Sequence, residues 1–248
     1  MNKIKYELND LLNDHTFQIM DEGVPIIMNI NILFEDNHLL AVEKPVNIPV
    51  QADKTGDEDL LTILKQDIKV RYNKPGNVYL ALVHRLDRPV GGVMVFAKTS
   101  KAASRLSDVL RRKEMMRKYL AVVRNRPKRD KGRLKHYLYK DRQKNQVYAV
   151  SPQNKKGKKA ILDYKLLKQS DELSLLAVEL HTGRSHQIRV QLAEEGMPLY
   201  GDQKYGSHVN KPGQQIALWS HLLSFKHPTK DEMVEVKCQP PNEYPWHI

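Results

Sequence analysis

Short apolar runs, each bounded by turn-forming residues, recur along most of this chain. Runs of apolar and β-branched residues between turn formers are typical of strands in a packed sheet. Several connections between them are short enough for hairpins, which favours antiparallel neighbours. The predicted strands cover residues 32–34, 39–42, 78–83, 93–97, 117–123, 137–139, 146–150, 160–168, 173–180, 215–224 and 233–238.

Three other segments place apolar residues at helical spacing and predict amphipathic helices. Side-chain oxygens near their starts can accept hydrogen bonds from the free backbone N–H groups of a first turn. Because helices and strands are intermixed, we expect an α+β fold with a mixed, largely antiparallel sheet. Two helices are predicted over residues 55–72 and 101–114, and a third between Ser185 and Gly196. The residues expected to cap them are Thr55 or Asp57, Ser100 and Ser185.

Length and composition are those of a globular protein with one core. The chain has 248 residues, of which 40% are hydrophobic, and no linker separates two halves. We therefore predict one domain over residues 31–248, preceded by an extension over residues 1–30. The apolar runs are too short to span a bilayer, and the N-terminus lacks the apolar core of a signal peptide. The single cysteine, Cys238, excludes an internal disulfide, and a reducing cytoplasm fits best.

Excess positive charge is confined to one segment. The chain has a net charge of +12, and residues 124–159, with 14 Lys or Arg against 2 Asp or Glu, account for all of it. A concentrated basic segment is typical of a protein that binds a polyanion, nucleic acid above all. Charge alone leaves RNA, DNA, an anionic membrane and a solvated basic loop without a partner all open.

A turn between two predicted buried strands contains the most unusual cluster of charges. It reads His84-Arg85-Leu86-Asp87-Arg88-Pro89-Val90-Gly91-Gly92. A carboxylate among guanidinium groups at the edge of a sheet is costly to desolvate unless it is paired. Considered alone, Asp87 is more often a member of a structural ion pair than a functional acid.

Other candidate chemistry is weaker. No glycine-rich phosphate loop occurs, which argues against nucleotide-driven chemistry. The spacings between His181 and His186 and between His221 and His227 are loose for a metal site, and no cysteine pair supports one. The segment around Arg184 and Arg189 begins a predicted helix, where free N–H groups favour an anion. Tyr119, read alone, is an ordinary half-buried strand residue.

Five motifs occur in one order along the chain, at residues 34–45, 84–99, 118–121, 182–190 and 198–206. Together they resemble the RluA-type pseudouridine synthases. The resemblance extends from about residue 32 to the C-terminus, and residues 1–30 do not resemble the S4-type RNA-binding module of longer relatives. The family usually has Thr-Ser-Gly where this chain has Val90-Gly91-Gly92.

The resemblance implies an enzyme that isomerises specific uridines of ribosomal or transfer RNA to pseudouridine without a cofactor or a metal. It implies a catalytic fold with a mixed sheet flanked by helices and loops around a central cleft. Asp87 matches the essential aspartate, Arg189 the cation that holds it, and Tyr119 the tyrosine that stacks on the target base. Arg85 matches the residue that fills the space of the flipped uridine, and Ile188 would complete the base pocket.

We accordingly predict a cytoplasmic and monomeric protein that does not bind membranes. Two alternatives remain: a catalytically inactive RNA-binding or ribosome-assembly protein on the same fold, and a metal-dependent nuclease that uses the histidines. The side chains expected to contact RNA, beyond the three catalytic candidates, are His84, Arg85, Leu86, Arg88, Arg184, Ile188, Lys155, Lys156, Lys158 and Lys159.

Overall fold

A computed structural model describes residues 30–248 of the chain. The predicted extension over residues 1–30 therefore lies almost entirely outside the described residues. The strands are β1 (Ile32–Glu35), β2 (Leu39–Lys44), β3 (Ala81–Leu82), β4 (Gly91–Ala97), β5 (Met116–Arg124), β6 (Lys131–Asp141), β7 (Gln146–Val150), β8 (Lys158–Gln169), β9 (Leu173–Leu180), β10 (Leu218–Lys226) and β11 (Met233–Lys237). The helices are α1 (Leu60–Arg71), α2 (Ser100–Arg112) and α3 (Gln187–Glu194).

The described strands form a single twisted sheet, in the order β1-β2-β4-β10-β5-β9-β8-β6-β7. Strand β11 pairs with β10, and β3 pairs with β4. Every strand pair is antiparallel except β4 with β10, which is parallel. The predicted α+β class with a mixed, largely antiparallel sheet is confirmed.

Strands β2 and β4 lie at the centre of two hydrophobic layers. Their side chains alternate between the faces of the sheet, and nearly all are buried, which is why both strands read as continuous apolar runs. One layer places α1 against Leu40, Val42, Met94 and Phe96. The other places α2 against the intervening residues of the same strands.

The helix starts differ from the prediction. Helix α1 begins at Leu60, because Asp59 caps it by accepting a hydrogen bond from the Thr62 N–H at 3.1 Å. Residues 51–58 are exposed loop, so neither Thr55 nor Asp57 is the cap. Thr99, one residue before the predicted Ser100, caps α2 by accepting from the Ala102 N–H at 3.2 Å.

Helix α3 begins without the predicted Ser185 cap. His186 precedes the helix in a left-handed conformation, with φ of 50°, and its side chain does not cap it. The side chain of Gln187 accepts hydrogen bonds from the Arg184 N–H at 3.0 Å and the Thr182 hydroxyl at 2.7 Å. The residue at the cap position is therefore His186, and the predicted cap at Ser185 is wrong by one residue.

Two predicted strands differ most in length. The apolar run at 78–83 forms only the two residues of β3, because pairing with β4 begins at Ala81. The run at 137–139 belongs to β6, which has 11 residues and pairs along most of β8. Most of the basic segment 124–159 is therefore part of the sheet and not a loop.

Candidate active site

A cleft of about 1210 Å³ opens above the middle of the sheet. Its walls come from the turn after β3, the N-terminal half of β5, the end of β9 and the start of α3. Nine of the predicted site residues line it: His84, Arg85, Leu86, Asp87, Arg88, Tyr119, Arg184, Ile188 and Arg189. The four predicted lysines do not line it: Lys155, Lys156, Lys158 and Lys159 are exposed on the β7–β8 turn and the first residues of β8.

Asp87 is held at the floor of the cleft by a chain of charges. Nη1 of Arg189 lies 3.4 Å from Oδ2 of Asp87. The Nε and Nη2 groups of Arg189 each donate a 2.8 Å hydrogen bond to the carboxylate of Asp202. The Asp202 side chain is fully buried and the Arg189 side chain is 7% exposed, whereas Asp87 is 28% exposed. Only the Asp87 carboxylate is therefore open to a molecule in the cleft.

Pairing keeps the buried members of this chain charged. Burial opposes the charged form of Arg189, but hydrogen bonds to Asp202 raise its pKa above the ordinary value. Burial likewise would raise the pKa of Asp202, but the hydrogen bonds from Arg189 lower it below the ordinary value. A bidentate pair of this kind fixes the plane of the guanidinium. Arg189 therefore presents its remaining N–H group to Asp87 in one orientation.

Lys44 supports the Asp87 turn from below. Its side chain is fully buried, and its ammonium group donates to the carbonyls of Pro45 at 2.7 Å, Arg88 at 3.0 Å and Val90 at 2.8 Å. Burial lowers its pKa to about 7, although the nearby Asp87 charge opposes this. Two of these three acceptors, the carbonyls of Arg88 and Val90, belong to the turn, so Lys44 fixes the backbone on the C-terminal side of Asp87.

The residues Val90-Gly91-Gly92 fit close backbone packing between β4 and β10. Gly92 has φ of 107°, and a Cβ atom there would overlap the carbonyl of Ser220. A Cβ at Gly91 would overlap the ring of Trp219. The Val90 N–H donates to the Asp87 carbonyl at 2.9 Å. Backbone contacts and Lys44 therefore hold this turn.

His84 and Tyr119 are neutral members of the cleft wall. Nε2 of His84 accepts a hydrogen bond from the Val95 N–H at 3.1 Å. Burial, and secondly the charge of Arg117, lower the His84 pKa to about 4. Burial raises the pKa of Tyr119, so its hydroxyl keeps its proton at neutral pH.

A second tyrosine, Tyr205, also holds Arg189. Its ring centroid lies 5.2 Å from Cζ of Arg189, within the range of a cation–π contact. Its hydroxyl accepts from the Val147 N–H at 2.9 Å and lies 2.7 Å from Nδ1 of His186. Burial raises the pKa of Tyr205 to about 12, so the hydroxyl keeps its proton at neutral pH.

The remaining predicted arginines differ in how they are held. Arg88 forms an ion pair with Asp57, and its Nε donates to the Asn47 carbonyl at 3.0 Å. Nε of Arg184 donates to the carbonyl of Lys159 at 3.0 Å, which joins the cleft to the start of β8. Arg85 is exposed at the rim.

Similarity to known proteins decides the family. A family model described as "RNA pseudouridylate synthase" matches residues 38–194. The chain belongs to the RluA-type family of RNA pseudouridine synthases. It is 34% identical to "Uncharacterized RNA pseudouridine synthase YhcT" of Bacillus subtilis (strain 168) over 245 residues. The aligned region covers 94% of this chain and 79% of that protein.

Other relatives agree with this membership. "Ribosomal large subunit pseudouridine synthase D" of Vibrio cholerae is 31% identical over 233 residues, or 86% of this chain and 68% of that protein. The solved structure "Human RNA Pseudouridylate Synthase Domain Containing 4" superposes with a TM-score of 0.73 at 22% identity, covering 86% and 89% of the two chains. The predicted family and fold are confirmed, and the chain is an RNA pseudouridine synthase, an isomerase.

The histidines considered as metal ligands have other partners. His181 contacts Asp163 at 2.8 Å, and His227 contacts Asp36 at 2.9 Å. Nδ1 of His221 donates to the Cys238 carbonyl at 2.9 Å. Among residues 30–248, no three His, Cys, Asp or Glu side chains gather as they would around a metal ion. Within the same range, none of the helices has the length and apolar character needed to cross a bilayer.

Sequence reasoning missed three residues that hold the site. Asp202 and Tyr205 stand in the last of the five motifs and Lys44 in the first, but no role was assigned to them. A buried arginine requires a buried acid, and this requirement was the available signal for Asp202. Nothing in the local sequence indicates that Lys44 is buried beneath a turn 44 residues away.

Proposed function

We propose that this enzyme converts specific uridines of ribosomal or transfer RNA to pseudouridine with Asp87 as the reactive carboxylate. The observation that carries the proposal is the position of Asp87 in the cleft. It is the partly exposed end of a carboxylate–arginine–carboxylate chain whose other members are buried. The names of several relatives refer to the large ribosomal subunit, which favours ribosomal RNA as the target class.

In the reaction the N1–C1′ bond of uridine breaks, the uracil turns, and a C5–C1′ bond forms. The proton displaced from C5 leaves, and N1 gains one, so the product is an isomer of the substrate. Asp87 is positioned to attack the sugar or the base, because Arg189 favours its charged form and fixes its direction. Tyr119, protonated on the wall of the same cleft, can stack on the base and exchange a proton with it.

The target nucleotide must leave its stack to reach Asp87, since the glycosidic carbon is inaccessible within stacked bases. Arg85, exposed at the rim, is placed to occupy the space left behind. Leu86 and Ile188 are buried apolar residues that line the cleft and would contact the uracil.

Basic residues at the edge of the cleft and beyond it would bind the rest of the RNA. Lys140 and Lys204 line the cleft, and Lys140 of β6 donates to the Ser185 hydroxyl at 3.2 Å. The exposed lysines of the β7–β8 turn would extend this basic surface. Phosphate contacts of this kind give affinity that is independent of sequence and sensitive to salt. We also propose that the enzyme is monomeric and acts in the cytoplasm.

The test is Asp87→Asn, which keeps the shape of the side chain and removes its charge. Purified wild type and variant are incubated with ribosomal and transfer RNA from cells that lack the gene, and pseudouridine is quantified by mass spectrometry. We expect wild type to form pseudouridine at defined sites and the variant to form none while binding RNA normally. Turnover by the variant would refute the role of Asp87.

Asp57→Asn is the matched control, since Asp57 pairs with Arg88 at the surface. We expect this variant to keep most of the activity. If wild type binds both RNA classes but modifies neither, the inactive RNA-binding alternative replaces the proposal.

A further inference from the structure

Arg117 is a cleft arginine whose charge is not balanced by a neighbouring group. It lies on β5 and lines the cleft, and within residues 30–248 it forms no ion pair or hydrogen bond. Its Nε atom is buried and has no partner. By contrast, Arg189 pairs with Asp202 and Arg88 with Asp57. Leaving a buried charged donor unpaired is costly, so an unpaired one needs an explanation.

The position of Arg117 relates it directly to the reaction. It is two residues before Tyr119 on one strand, so the two side chains lie on the same face of the sheet. Its positive charge adds to the effect of burial in lowering the pKa of His84, and it opposes the rise that burial gives the pKa of Tyr119. On the other side it meets the loop before α3, where a Cβ atom at Gly183 would lie 2.7 Å from Nη1 of Arg117. Gly183 thus leaves the space that the guanidinium occupies.

A guanidinium held open in this way fits a phosphate group. Its planar donors match phosphate oxygens in a bidentate geometry that lysine cannot form. The substrate of this family is RNA, and a nucleotide placed with its sugar at Asp87 and its base at Tyr119 brings its own phosphates to the adjacent wall. A free anion from solvent would share this chemistry, and the uridine ligands chosen below separate the two.

We propose that Arg117 binds a phosphate of the nucleotide that enters the cleft, and so positions its ribose over Asp87. This inference rests on the proposed function, since it takes the target nucleotide to occupy the cleft. It assigns Arg117 a substrate-binding role distinct from that of Arg189, which holds the carboxylate.

The test compares the affinities of uridine, uridine 5′-monophosphate and uridine 3′-monophosphate, measured by NMR titration of the full-length protein. Inorganic phosphate is titrated separately. We expect at least one monophosphate to bind wild type about tenfold more tightly than uridine, as charge-assisted hydrogen bonds would give. Arg117→Met should remove this preference and leave the affinity for uridine unchanged.

Arg112→Met is the matched control, because Arg112 is exposed at the end of α2, pairs with Asp108 and Glu114, and does not line the cleft; it should keep the preference. Arg117→Lys, which keeps the charge and serves if Arg117→Met does not fold, should restore only part of it. Equal affinities of wild type for uridine and both monophosphates would overturn the proposal, as would a preference that survives in Arg117→Met. If inorganic phosphate binds wild type as tightly as the monophosphates do, and Arg117→Met loses both to the same extent, Arg117 holds a free anion and the proposal fails.

Failure of the proposed function is recognised separately. Asp87→Asn should keep the monophosphate preference, because Arg117 and not Asp87 produces it. An active Asp87→Asn with a preserved Arg117-dependent preference would refute the role of Asp87 alone.

Discussion

The cleft and the basic segment 124–159 use charge in opposite ways. In the cleft, Asp87, Arg189 and Asp202 form a chain in which each buried charge has a partner. On the β7–β8 turn, Lys155 and its neighbours are exposed to water. Burial makes an unpaired charge expensive, while water screens an exposed one. The paired charges of the cleft therefore fix the positions of their side chains. The exposed charges of the basic segment can attract a polyanion without holding it in one orientation.

We expect the largest loss of stability and activity when the buried arginine–aspartate pair is broken, and a matched surface pair serves as its control. Asp202→Ala leaves the buried Arg189 guanidinium without its partner, and we expect a loss of about 3–5 kcal/mol in the free energy of unfolding. Activity should also disappear, since Arg189 no longer holds Asp87. Urea denaturation and a pseudouridine assay measure both.

Asp163→Ala is the matched control, because Asp163 forms the same two-point contact with Arg133 on exposed parts of β8 and β6. We expect only a small change in stability, as is usual for surface pairs. Equal losses in the two variants would show that burial does not separate the two regions.

A smaller loss of stability is expected for Lys44→Met. The carbonyls of Pro45, Arg88 and Val90 then lose their donor, which we expect to lower the free energy of unfolding by about 2–4 kcal/mol. The turn that bears Asp87 would loosen, so kcat should fall more than RNA affinity. Unchanged kcat in a folded variant would contradict the positioning role of Lys44.

The lowered pKa of His84 predicts that the stability of the protein depends on pH. This pKa is about 4 in the folded protein and about 6.5 when unfolded, so the unfolded chain binds a proton that the folded one does not. Stability should therefore be lost as pH falls from about 6.5 to about 4, by at most about 3 kcal/mol. His84→Gln keeps a hydrogen-bond acceptor but cannot titrate, and its unfolding free energy should fall less over this window. If the unfolding free energies of wild type and His84→Gln fall in parallel as the pH is lowered, His84 does not cause the loss of stability.

The smallest effect is expected for Lys155→Gln in the basic segment. The melting temperature should stay unchanged, because the side chain is exposed. RNA affinity should fall, more at low salt than at high salt, and the slope of log K against log salt should decrease by about one. If the variant and wild type give the same slope of log K against log salt, Lys155 does not contact RNA.

Local pattern was sufficient for the central strands and failed where side chains act on the backbone. The apolar runs of β2 and β4 are strong signals because both faces of these strands are buried. The start of α3 was wrong because Gln187, and not Ser185, binds the preceding loop. Strand β6 was too short in the prediction because its charged residues resemble a loop, although pairing with β8 satisfies their backbone groups.

The sequence by itself determined the family, the fold class, the candidate acid at Asp87 and the location of the excess charge. These depend on residue type and order, which are visible along the chain. Only the tertiary structure decided which charges meet. Arg189 lies 102 residues after Asp87, and Lys44 lies 44 residues before the carbonyl of Arg88 that it binds. Such contacts follow from packing of the sheet and helices, which brings distant segments into one low-dielectric site and requires their charges to be paired.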